Sequence, residues 1–214
     1  MSDNNKKWHS ELTCQTVIKN LEKNHFQAKY AANTEEAAKI ILDLIPDKAS
    51  VGLGGSMTFQ EIPIWEELKK KTDNIINHGD PNLTPEEKAE CRLKEQTCDV
   101  FLTSSNALTM DGKLVNMDGL GNRVSAMIYG PKKVIIAVGK NKIVKNLEQA
   151  IDRIERIASP INNKRLNRPN PCTETGYCVN CSKDTRICNV LTVMHKKPSV
   201  TDITIILINE DLGY

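Results

Sequence analysis

The sequence is poor in aromatic residues and in long apolar runs, and neither sign of charge dominates. Its 214 residues include three Phe, two Trp and four Tyr, which are dispersed, so no stacking platform for nucleic acid is expected. Lys and Arg number 29 and Asp and Glu 27, a net charge of +2 that argues against a dedicated nucleic-acid binder. The charge-free apolar runs Val134–Gly139 and Ile203–Asn209 are far shorter than the roughly 20 residues that span a bilayer. We therefore expect neither a nucleic-acid nor a membrane partner.

We also expect no secretory signal. Met1–Lys7 is polar and no apolar segment follows it, so we expect a cytoplasmic protein whose thiols stay reduced. The seven cysteines are an odd number, and four of them fall within Cys172–Cys188. Such crowding in a reduced compartment favours a metal or redox role over disulfides.

The alternation of strand and helix patterns indicates an α/β fold. The N-terminal third predicts two helices and then a strand at Ser50–Leu53, and further strands are predicted at Asp99–Thr103, Lys133–Val138 and Asp202–Asn209. Asp111-Gly112, between two β-like runs, predicts a tight hairpin. Because helical stretches separate the strands, we predict a mainly parallel sheet with helices on both faces, and the hairpin as an antiparallel insertion.

A single domain is predicted over residues 1–214. Composition changes after Pro160, which is expected to end the preceding helix. The following segment is rich in Asn, Pro, Cys and basic residues and has few periodic apolar positions. Because the chain then returns to a buried strand, we predict a Cys-rich excursion at about 161–197 rather than a second domain.

A glycine-rich segment follows the strand at Ser50–Leu53. Gly54 and Gly55 let the backbone approach a ligand, while Ser56 and Thr58 offer hydroxyl donors at the start of a predicted helix. Neither a Walker loop nor a complete dinucleotide fingerprint is present. The segment fits an anion-binding site and a tight strand-to-helix turn equally well.

Polar residues follow the next predicted strand and the hairpin. Asn106 comes after the strand, and Asp118, Gly121, Asn122 and Arg123 come after the hairpin. Ligands of open α/β sheets bind beyond the carboxyl ends of the strands, so these residues are candidates for a pocket. Arg123 suits a carboxylate or phosphate through a bidentate pair. The alternative is a turn at Asp118, a helix cap at Asn122 and a solvated Arg123.

Two further groups are candidates. His78 lies near the end of a predicted strand and could serve as an acid or base, although a capped turn also fits it. Lys164, Arg165 and Arg168 form a basic stretch, which is either a solvated face or a patch that faces an anion.

The clustered cysteines have the spacing Cys172-x5-Cys178-x2-Cys181-x6-Cys188. Four thiolates so close in the chain can surround one ion or one cluster. A zinc ribbon needs two Cys-x2-Cys pairs and only one is present, so the uneven spacing lies nearer to iron–sulfur ligation, without matching a ferredoxin pattern. An iron–sulfur cluster is the first expectation, and zinc, or no metal at all, are the alternatives.

Several motifs together resemble the LUD-domain family of lactate-utilisation proteins. They are Gly54-Gly55-Ser56-Met57-Thr58, Ser105-Asn106-Ala107-Leu108-Thr109 with Gly112, Gly121-Asn122-Arg123-Val124, Val138-Gly139-Lys140-Asn141-Lys142-Ile143, Pro160-Ile161-Asn162 with Lys164-Arg165, the segment from Pro171-Cys172 to Cys188-Asn189, and Asn209-Glu210-Asp211-Leu212-Gly213. The later motifs are similar to the single-domain branch of the family, which carries a C-terminal four-cysteine motif. The resemblance covers the chain from about Thr13 to its C terminus.

The resemblance implies both a fold and a function. The implied fold is related to sugar-phosphate isomerases, CoA-transferases and formyltetrahydrofolate cycloligases. The implied function lies in the bacterial oxidation of L-lactate to pyruvate, where such a chain accompanies iron–sulfur protein partners. The positions that match recurrent family positions form the implied pocket: Gly54, Gly55, Ser56, Asn106, Gly121, Asn122 and Arg123.

These observations predict a protein of lactate or related 2-hydroxy-acid utilisation that binds a small anionic substrate. Arg123 would hold a carboxylate, Gly54–Ser56 would hold an anionic group, and Asp118 or His78 would move a proton. Electrons would leave through the four cysteines or a partner. The alternatives are a non-catalytic binding or regulatory module with a structural metal, and an isomerase or transferase that acts on a phosphorylated or CoA-linked substrate. The sequence leaves open whether the chain is an enzyme on its own and whether it forms a homo-oligomer.

Overall fold

The structure, a computed structural model, describes residues 4–214, and Met1–Asp3 of the polar N-terminal segment lie outside the described residues. The helices are α1 (Asn4–Lys23), α2 (Thr34–Asp43), α3 (Met57–Gln60), α4 (Trp65–Lys71), α5 (Pro85–Glu95), α6 (Asn122–Ile128), α7 (Leu147–Arg153), α8 (Ser159–Arg165) and α9 (Cys172–Thr175). The strands are β1 (Gln27–Ala31), β2 (Val51–Leu53), β3 (Ile75–Ile76), β4 (Val100–Thr103), β5 (Ala107–Thr109), β6 (Leu114–Asp118), β7 (Lys133–Gly139), β8 (Ile143–Val144), β9 (Val190–Met194) and β10 (Asp202–Ile208). Across residues 4–214, none of the helices combines the length and the apolar character needed to cross a membrane.

Six strands form a parallel sheet in the order β1-β10-β7-β4-β2-β3. Its central strands β10 and β7 are buried almost throughout, as expected for parallel strands that are covered on both faces. Alternate residues of β7 separate two apolar clusters, with Ile135 packed on the side of α2 and α4 and Ile136 on the side of α1 and α6. The prediction of a mainly parallel sheet with helices on both faces is confirmed.

A second, four-stranded sheet has the order β8-β5-β6-β9. Strands β5 and β6 pair antiparallel, so the predicted hairpin is confirmed. Its Gly112 has a φ of 80°, and a side chain there would collide with the backbone of Asn20 in α1. The second sheet itself was not predicted, because β8 has two residues and β9 lies in the Cys-rich segment, where Val190 and Leu191 are exposed.

Two local predictions are wrong. Strand β1 lies between the first two helices, where the sequence predicted helices in succession. It is an edge strand with alternate residues exposed, so its apolar pattern is weak. Pro160 does not end the preceding helix, because a π-helical turn at Ile154–Ala158 connects α7 to α8 and Pro160 is the second residue of α8. A π-helical turn interrupts the regular hydrogen-bond ladder and so accommodates the proline ring.

The order of the strands determines where a ligand site is expected. From β2 the chain runs outward to the edge strand β3 and then returns inward to β4, although β2 and β4 are neighbours. The direction of the connections therefore reverses between β2 and β4. In open α/β sheets, the crevice outside the carboxyl ends of two such strands is the usual place for a ligand.

Candidate functional site

A cavity of about 460 Å³ opens at the carboxyl ends of the parallel strands, and we call it the strand-end cavity. Its wall contains Gly54–Ser56 after β2, His78 after β3, Ser104–Asn106 after β4 and Lys142 after β7. Helix α8 contributes Arg165 from the opposite side. The volume lies within the range of small-molecule sites in proteins, which is about 300–1,000 Å³.

Most of the predicted site residues meet at this cavity. Those that line it are Gly54, Gly55, Ser56, His78, Asn106, Asp118, Asn122 and Arg123. Thr58 and Gly121 do not line it. Thr58 is fully buried behind the wall, and Gly121 precedes α6 with a φ of 83°. The roles of all these residues in binding or catalysis stay predictions.

Arg123 is surrounded by protein acceptors. A guanidinium has five N–H donors, and five oxygen atoms lie within hydrogen-bond distance of this one. These oxygens, at 2.8–3.1 Å, are Asp118 Oδ1, Ser104 O, Asn116 Oδ1, Asn106 Oδ1 and Met117 O. A ligand carboxylate could take a donor from Arg123 only by replacing one of them. The side chain therefore ties the loop after β4 to the end of strand β6, whatever it does for a ligand.

Asp118 is also bound within the protein. Its Oδ1 accepts from Arg123 Nε at 3.0 Å, and its Oδ2 accepts from the Val124 N–H at 3.3 Å. The side chain is 12% exposed, so this ion pair is largely shielded from water. A carboxylate held in this way is better placed to orient Arg123 than to take a proton from a ligand.

The helix predicted after the glycine segment is a single turn. Ser56 caps α3, a helix of four residues, and its Oγ accepts from the Phe59 N–H at 3.4 Å. A helix this short contributes little of its own to an anion site, and the role of the glycine segment in binding an anion stays a prediction. Gly55 has a φ of 66°, and a side chain there would lie 3.7 Å from His78 Nε2. The segment therefore brings bare backbone next to an imidazole.

His78 is oriented by a buried carboxylate. Its Nδ1 lies 2.7 and 2.9 Å from the two carboxylate oxygens of Glu95, and its backbone N–H donates to Glu95 Oε1 at 3.1 Å. Glu95 is fully buried at the end of α5. A carboxylate on Nδ1 fixes the tautomer and the ring orientation, so Nε2 is left to face Gly55 and the strand-end cavity.

Lys142 is a buried amine in the cavity wall. Its side chain is directed at two hydroxyls, with Nζ donating to Thr58 Oγ1 at 2.8 Å and to Ser104 Oγ at 3.1 Å. The residue is 3% exposed. Burial, followed by the like charges of Arg153 and Arg123, lowers the pKa of Lys142 to about 7.

The cavity wall is strongly cationic. Its basic residues are Lys88, Arg92, Arg123, Lys142, Arg165 and Arg168, whereas among residues 4–214 Asp118 is the one lining residue with a carboxylate side chain. Because Asp118 is paired with Arg123, the other cations have no acidic side chain opposite them in the wall. The Nε of Arg92 is buried without a hydrogen-bond partner among residues 4–214. Both features favour an anionic ligand.

The four clustered cysteines line a second, much smaller pocket of about 10 Å³, which we call the thiol pocket. Cys172, Cys178, Cys181 and Cys188 all contribute to it. Burial, followed by the neighbouring thiols, raises the pKa of Cys172, and burial likewise raises that of Cys188. Arg186 holds the loop through a bond from Nε to the Cys188 carbonyl at 2.9 Å.

The thiols converge, but their arrangement is not that of an ion site. Across the described range of the chain, 4–214, no three or more His, Cys, Asp or Glu side chains are grouped so that they could hold a metal ion. The donor chemistry of four cysteines fits an iron–sulfur cluster, whereas their present spacing does not fit a single ion. The predicted metal site stays a prediction.

Lys142, which lines the strand-end cavity, and Glu95, which orients His78, were not identified from the sequence. Lys142 stands two residues after Lys140, and nothing in the sequence distinguishes the buried lysine from its neighbour. Glu95 had a weak signal, because Cys91 lies four residues before it on the same face of α5. A carboxylate on that face is unusual in a soluble helix.

Comparisons with known proteins support the fold and identify the family. No curated protein matches the chain. A crystal structure of a DUF162 family protein from Deinococcus radiodurans matches with a TM-score of 0.54 at 11% identity, over 93% of this chain and 98% of that one. A D-ribose-5-phosphate isomerase in complex with phospho-erythronic acid matches with a TM-score of 0.35 at 21% identity, over 53% of this chain and 54% of that one. The family profile described as the LUD domain matches residues 14–208, and the protein therefore belongs to the LUD domain family.

Proposed function

We propose that the strand-end cavity binds a small anionic 2-hydroxy or 2-oxo acid, and that the protein acts in the utilisation of lactate or a related 2-hydroxy acid. The LUD domain family, which is associated with lactate utilisation, supports this proposal. The observation that carries it is the cavity itself, where several cations meet at the strand ends and the one carboxylate of the wall is already paired.

The free cations of the wall are the proposed ligand contacts. Lys142 has only hydroxyl partners at its Nζ, and Arg92 has an unpartnered Nε. A carboxylate bound between them would supply the missing opposite charge. Arg123 acts indirectly in this proposal, because it holds the loops that shape the cavity.

His78 is the proposed proton acceptor. Oxidation of a 2-hydroxy acid to a 2-oxo acid releases two protons and two electrons. With Nδ1 held by Glu95, the free Nε2 of His78 takes the hydroxyl proton. We propose that the oxidant of this step is an iron–sulfur protein partner, which receives the two electrons, while the second proton ends in solvent.

Calorimetric titration of the purified protein with lactate and with pyruvate tests the proposal. We expect Arg92→Met and Lys142→Met to weaken binding of both acids by about tenfold or more, which corresponds to about 1.4 kcal/mol. Lys145→Met is the matched control, because Lys145 is exposed and lies outside the cavity wall. Unchanged affinities in both cavity variants, or no binding of either acid to the wild type, would contradict the proposal.

A second candidate function is favoured by the size and charge of the cavity. A volume of about 460 Å³ exceeds the needs of a three-carbon acid, and six cationic side chains suit a ligand with several negative charges. An isomerase or transferase that acts on a phosphorylated or CoA-linked substrate fits this observation. Titration with inorganic phosphate, a sugar phosphate and CoA decides between the candidates, since tighter binding of any of them than of lactate favours the second.

A separate proposal concerns the thiol pocket. We propose that its four cysteines bind an iron–sulfur cluster after a rearrangement of the loop that carries them. The convergence of all four thiols at one pocket supports this. No step proposed for the strand-end cavity depends on it. Iron and sulfide analysis after anaerobic purification is expected to find both elements, whereas stoichiometric zinc or metal-free protein would contradict the proposal.

A further inference from the structure

The amine of Lys142 has an unusual electrostatic position. None of the ion pairs among residues 4–214 involves it. The charged groups that act on it are Arg153 and Arg123, which repel its charge, and Glu61, which weakly favours it. A lysine that serves only as a structural cation is normally paired when it is buried this deeply. The surroundings of Lys142 instead favour the neutral amine.

The neutral amine carries the lone pair that makes lysine a nucleophile. Because burial brings the pKa of Lys142 to about 7, a large share of the molecules holds this lone pair near neutral pH. The amine is also held in place. Thr58 and Ser104 bind it from the end of the sheet, and a side chain at Gly213 would approach its Nζ to 3.4 Å, so the C-terminal segment packs over it.

We propose that Lys142 forms a reversible imine with the carbonyl carbon of a 2-oxo acid held in the strand-end cavity. This inference rests on the proposed function. Of the two ligand classes proposed there, the 2-hydroxy and the 2-oxo acids, it concerns the 2-oxo acids. The amine nitrogen attacks the carbonyl carbon and forms a C–N bond. The carbonyl oxygen then leaves as water with the two hydrogens of the amine, so the step needs no oxidant or reductant.

The composition of the wall fits both ends of such a ligand. Lys142 would meet the carbonyl carbon, while Arg92, which also lines the cavity, remains for the carboxylate. Ser104 lines the cavity and its Oγ lies 3.1 Å from Lys142 Nζ, so its hydroxyl is close to the nitrogen that attacks. If no imine forms, Lys142 keeps only the ionic role that it has in the proposed function, in which its protonated amine pairs with the carboxylate.

Reductive trapping tests the inference on the full chain. The protein is incubated with pyruvate and sodium cyanoborohydride at pH 7, and the modified lysine is found by peptide mass spectrometry. An exposed lysine with a pKa near 10.4 is neutral in about one molecule in 2,500 at this pH, so we expect the yield of adduct on Lys142 to exceed that on any exposed lysine by about 100-fold. The adduct should be retained in Lys145→Met, which alters an exposed lysine three residues away.

Lys142→Arg distinguishes a covalent role from a purely ionic one. Arginine keeps the positive charge and cannot form the imine, so we expect pyruvate to bind while the trapped adduct disappears. Circular dichroism shows whether the variant is folded, and Thr58→Val, which leaves the amine in place but removes one hydroxyl partner, gives a second test through a lowered yield.

The possible outcomes separate the two proposals. An adduct spread over exposed lysines, or one that persists in Lys142→Arg, overturns the imine. Wild-type protein that binds pyruvate but yields no adduct also overturns the imine and leaves the proposed function standing. If the wild type binds neither lactate nor pyruvate, the proposed function and the imine fail together.

Discussion

The strand-end cavity and the thiol pocket are neighbours that are built in different ways. The cavity has a volume of about 460 Å³ and a wall of charged groups that are fixed by hydrogen bonds, such as the bond between His78 and Glu95. The thiol pocket has about 10 Å³, and its thiols make few hydrogen bonds, although the Asn163, Asn170 and Arg186 side chains in its wall are well bonded. Cys178 Sγ, for example, accepts only a bond of 3.4 Å from the Asn180 N–H.

The difference shows which of the two regions is ready for a ligand. A preformed cavity loses little free energy to rearrangement on binding, whereas the thiol pocket must open before it can hold a cluster. The polar groups of the cavity should therefore govern both stability and binding. Substitutions of the four thiols should matter only once something is bound to them.

The largest effect is expected at the carboxylate behind His78. Glu95→Ala removes a fully buried partner, and we expect a loss of about 3 kcal/mol in the free energy of unfolding, near the lower end of the usual cost of breaking a buried pair because His78 is partly exposed. Urea denaturation measures it. Glu90→Ala on the same helix is the control and should change stability by less than about 0.5 kcal/mol. Equal effects would mean that Glu95 is not a structural part of the cavity.

The next largest effect is expected in the way that Lys142 makes the free energy of unfolding depend on pH. Burial in the folded protein holds the pKa of Lys142 at about 7, below its ordinary value of 10.5, and Arg153, Arg123 and Glu61 are the charged groups that act on it. Below pH 7 Lys142 is protonated in both the folded and the unfolded state. The free energy of unfolding is then lowered by the whole cost of burying its charge. Between pH 7 and 10.5 the unfolded chain binds more protons, so stability rises with pH. Relative to Lys142→Met, the wild type should gain about 2 kcal/mol from pH 7 to pH 9.

Urea denaturation of both proteins at several pH values measures this difference. Lys145→Met, which alters an exposed lysine, should follow the wild type throughout. A difference between the wild type and Lys142→Met that stays constant from pH 7 to pH 9 would show that the amine is charged at every pH in this range, and the cavity would then be a permanently cationic site.

A smaller effect is expected at the guanidinium that joins the loops. Arg123→Lys replaces five donors in a planar fork with three on one atom, so at least two of the five surrounding oxygens lose their bond. We expect a loss of about 1–2 kcal/mol in stability. The exposed Arg156→Lys is the control, with little change. If Arg123→Lys leaves stability unchanged but weakens lactate binding, Arg123 contacts the ligand directly.

The smallest effect is expected in the thiol pocket. When metal is removed from both the wild type and Cys178→Ser, the substitution should change the free energy of unfolding by about 0.5 kcal/mol or less. The same variant should lose iron when the protein is purified anaerobically, if the proposed cluster forms. A loss of several kcal/mol in the metal-free protein would contradict the contrast between the two regions, because it would show that the thiols themselves hold the loop.

The sequence was informative where the chain is apolar or conformationally restricted. Apolar runs such as Lys133–Val138 identified the central parallel strands, because such strands are buried on both faces. Asp111-Gly112 identified the hairpin through the positive φ that only glycine readily adopts. The rule that ligands lie at strand ends then brought Gly54 and Asn106 together correctly.

The sequence was uninformative where contacts between residues far apart in the chain determine the structure. The buried amine of Lys142 is bound by the hydroxyls of Thr58 and Ser104, which are far from it in the sequence. Strand β9 pairs with β6 across a long separation and has little apolar pattern of its own. The five acceptors of Arg123 come mostly from backbone and amide oxygens, whose positions no residue pattern reveals.

Helix α8 contributes residues to the wall of the strand-end cavity and to the wall of the thiol pocket. Asn162 faces the strand-end cavity and the next residue, Asn163, faces the thiol pocket. Ile187 is shared by both. An occupant of one site that displaces this helix changes the free energy of binding at the other, and thermodynamic linkage makes that change reciprocal. The helix thus forms part of both walls, so a shift of α8 on filling one site would change the lining of the other.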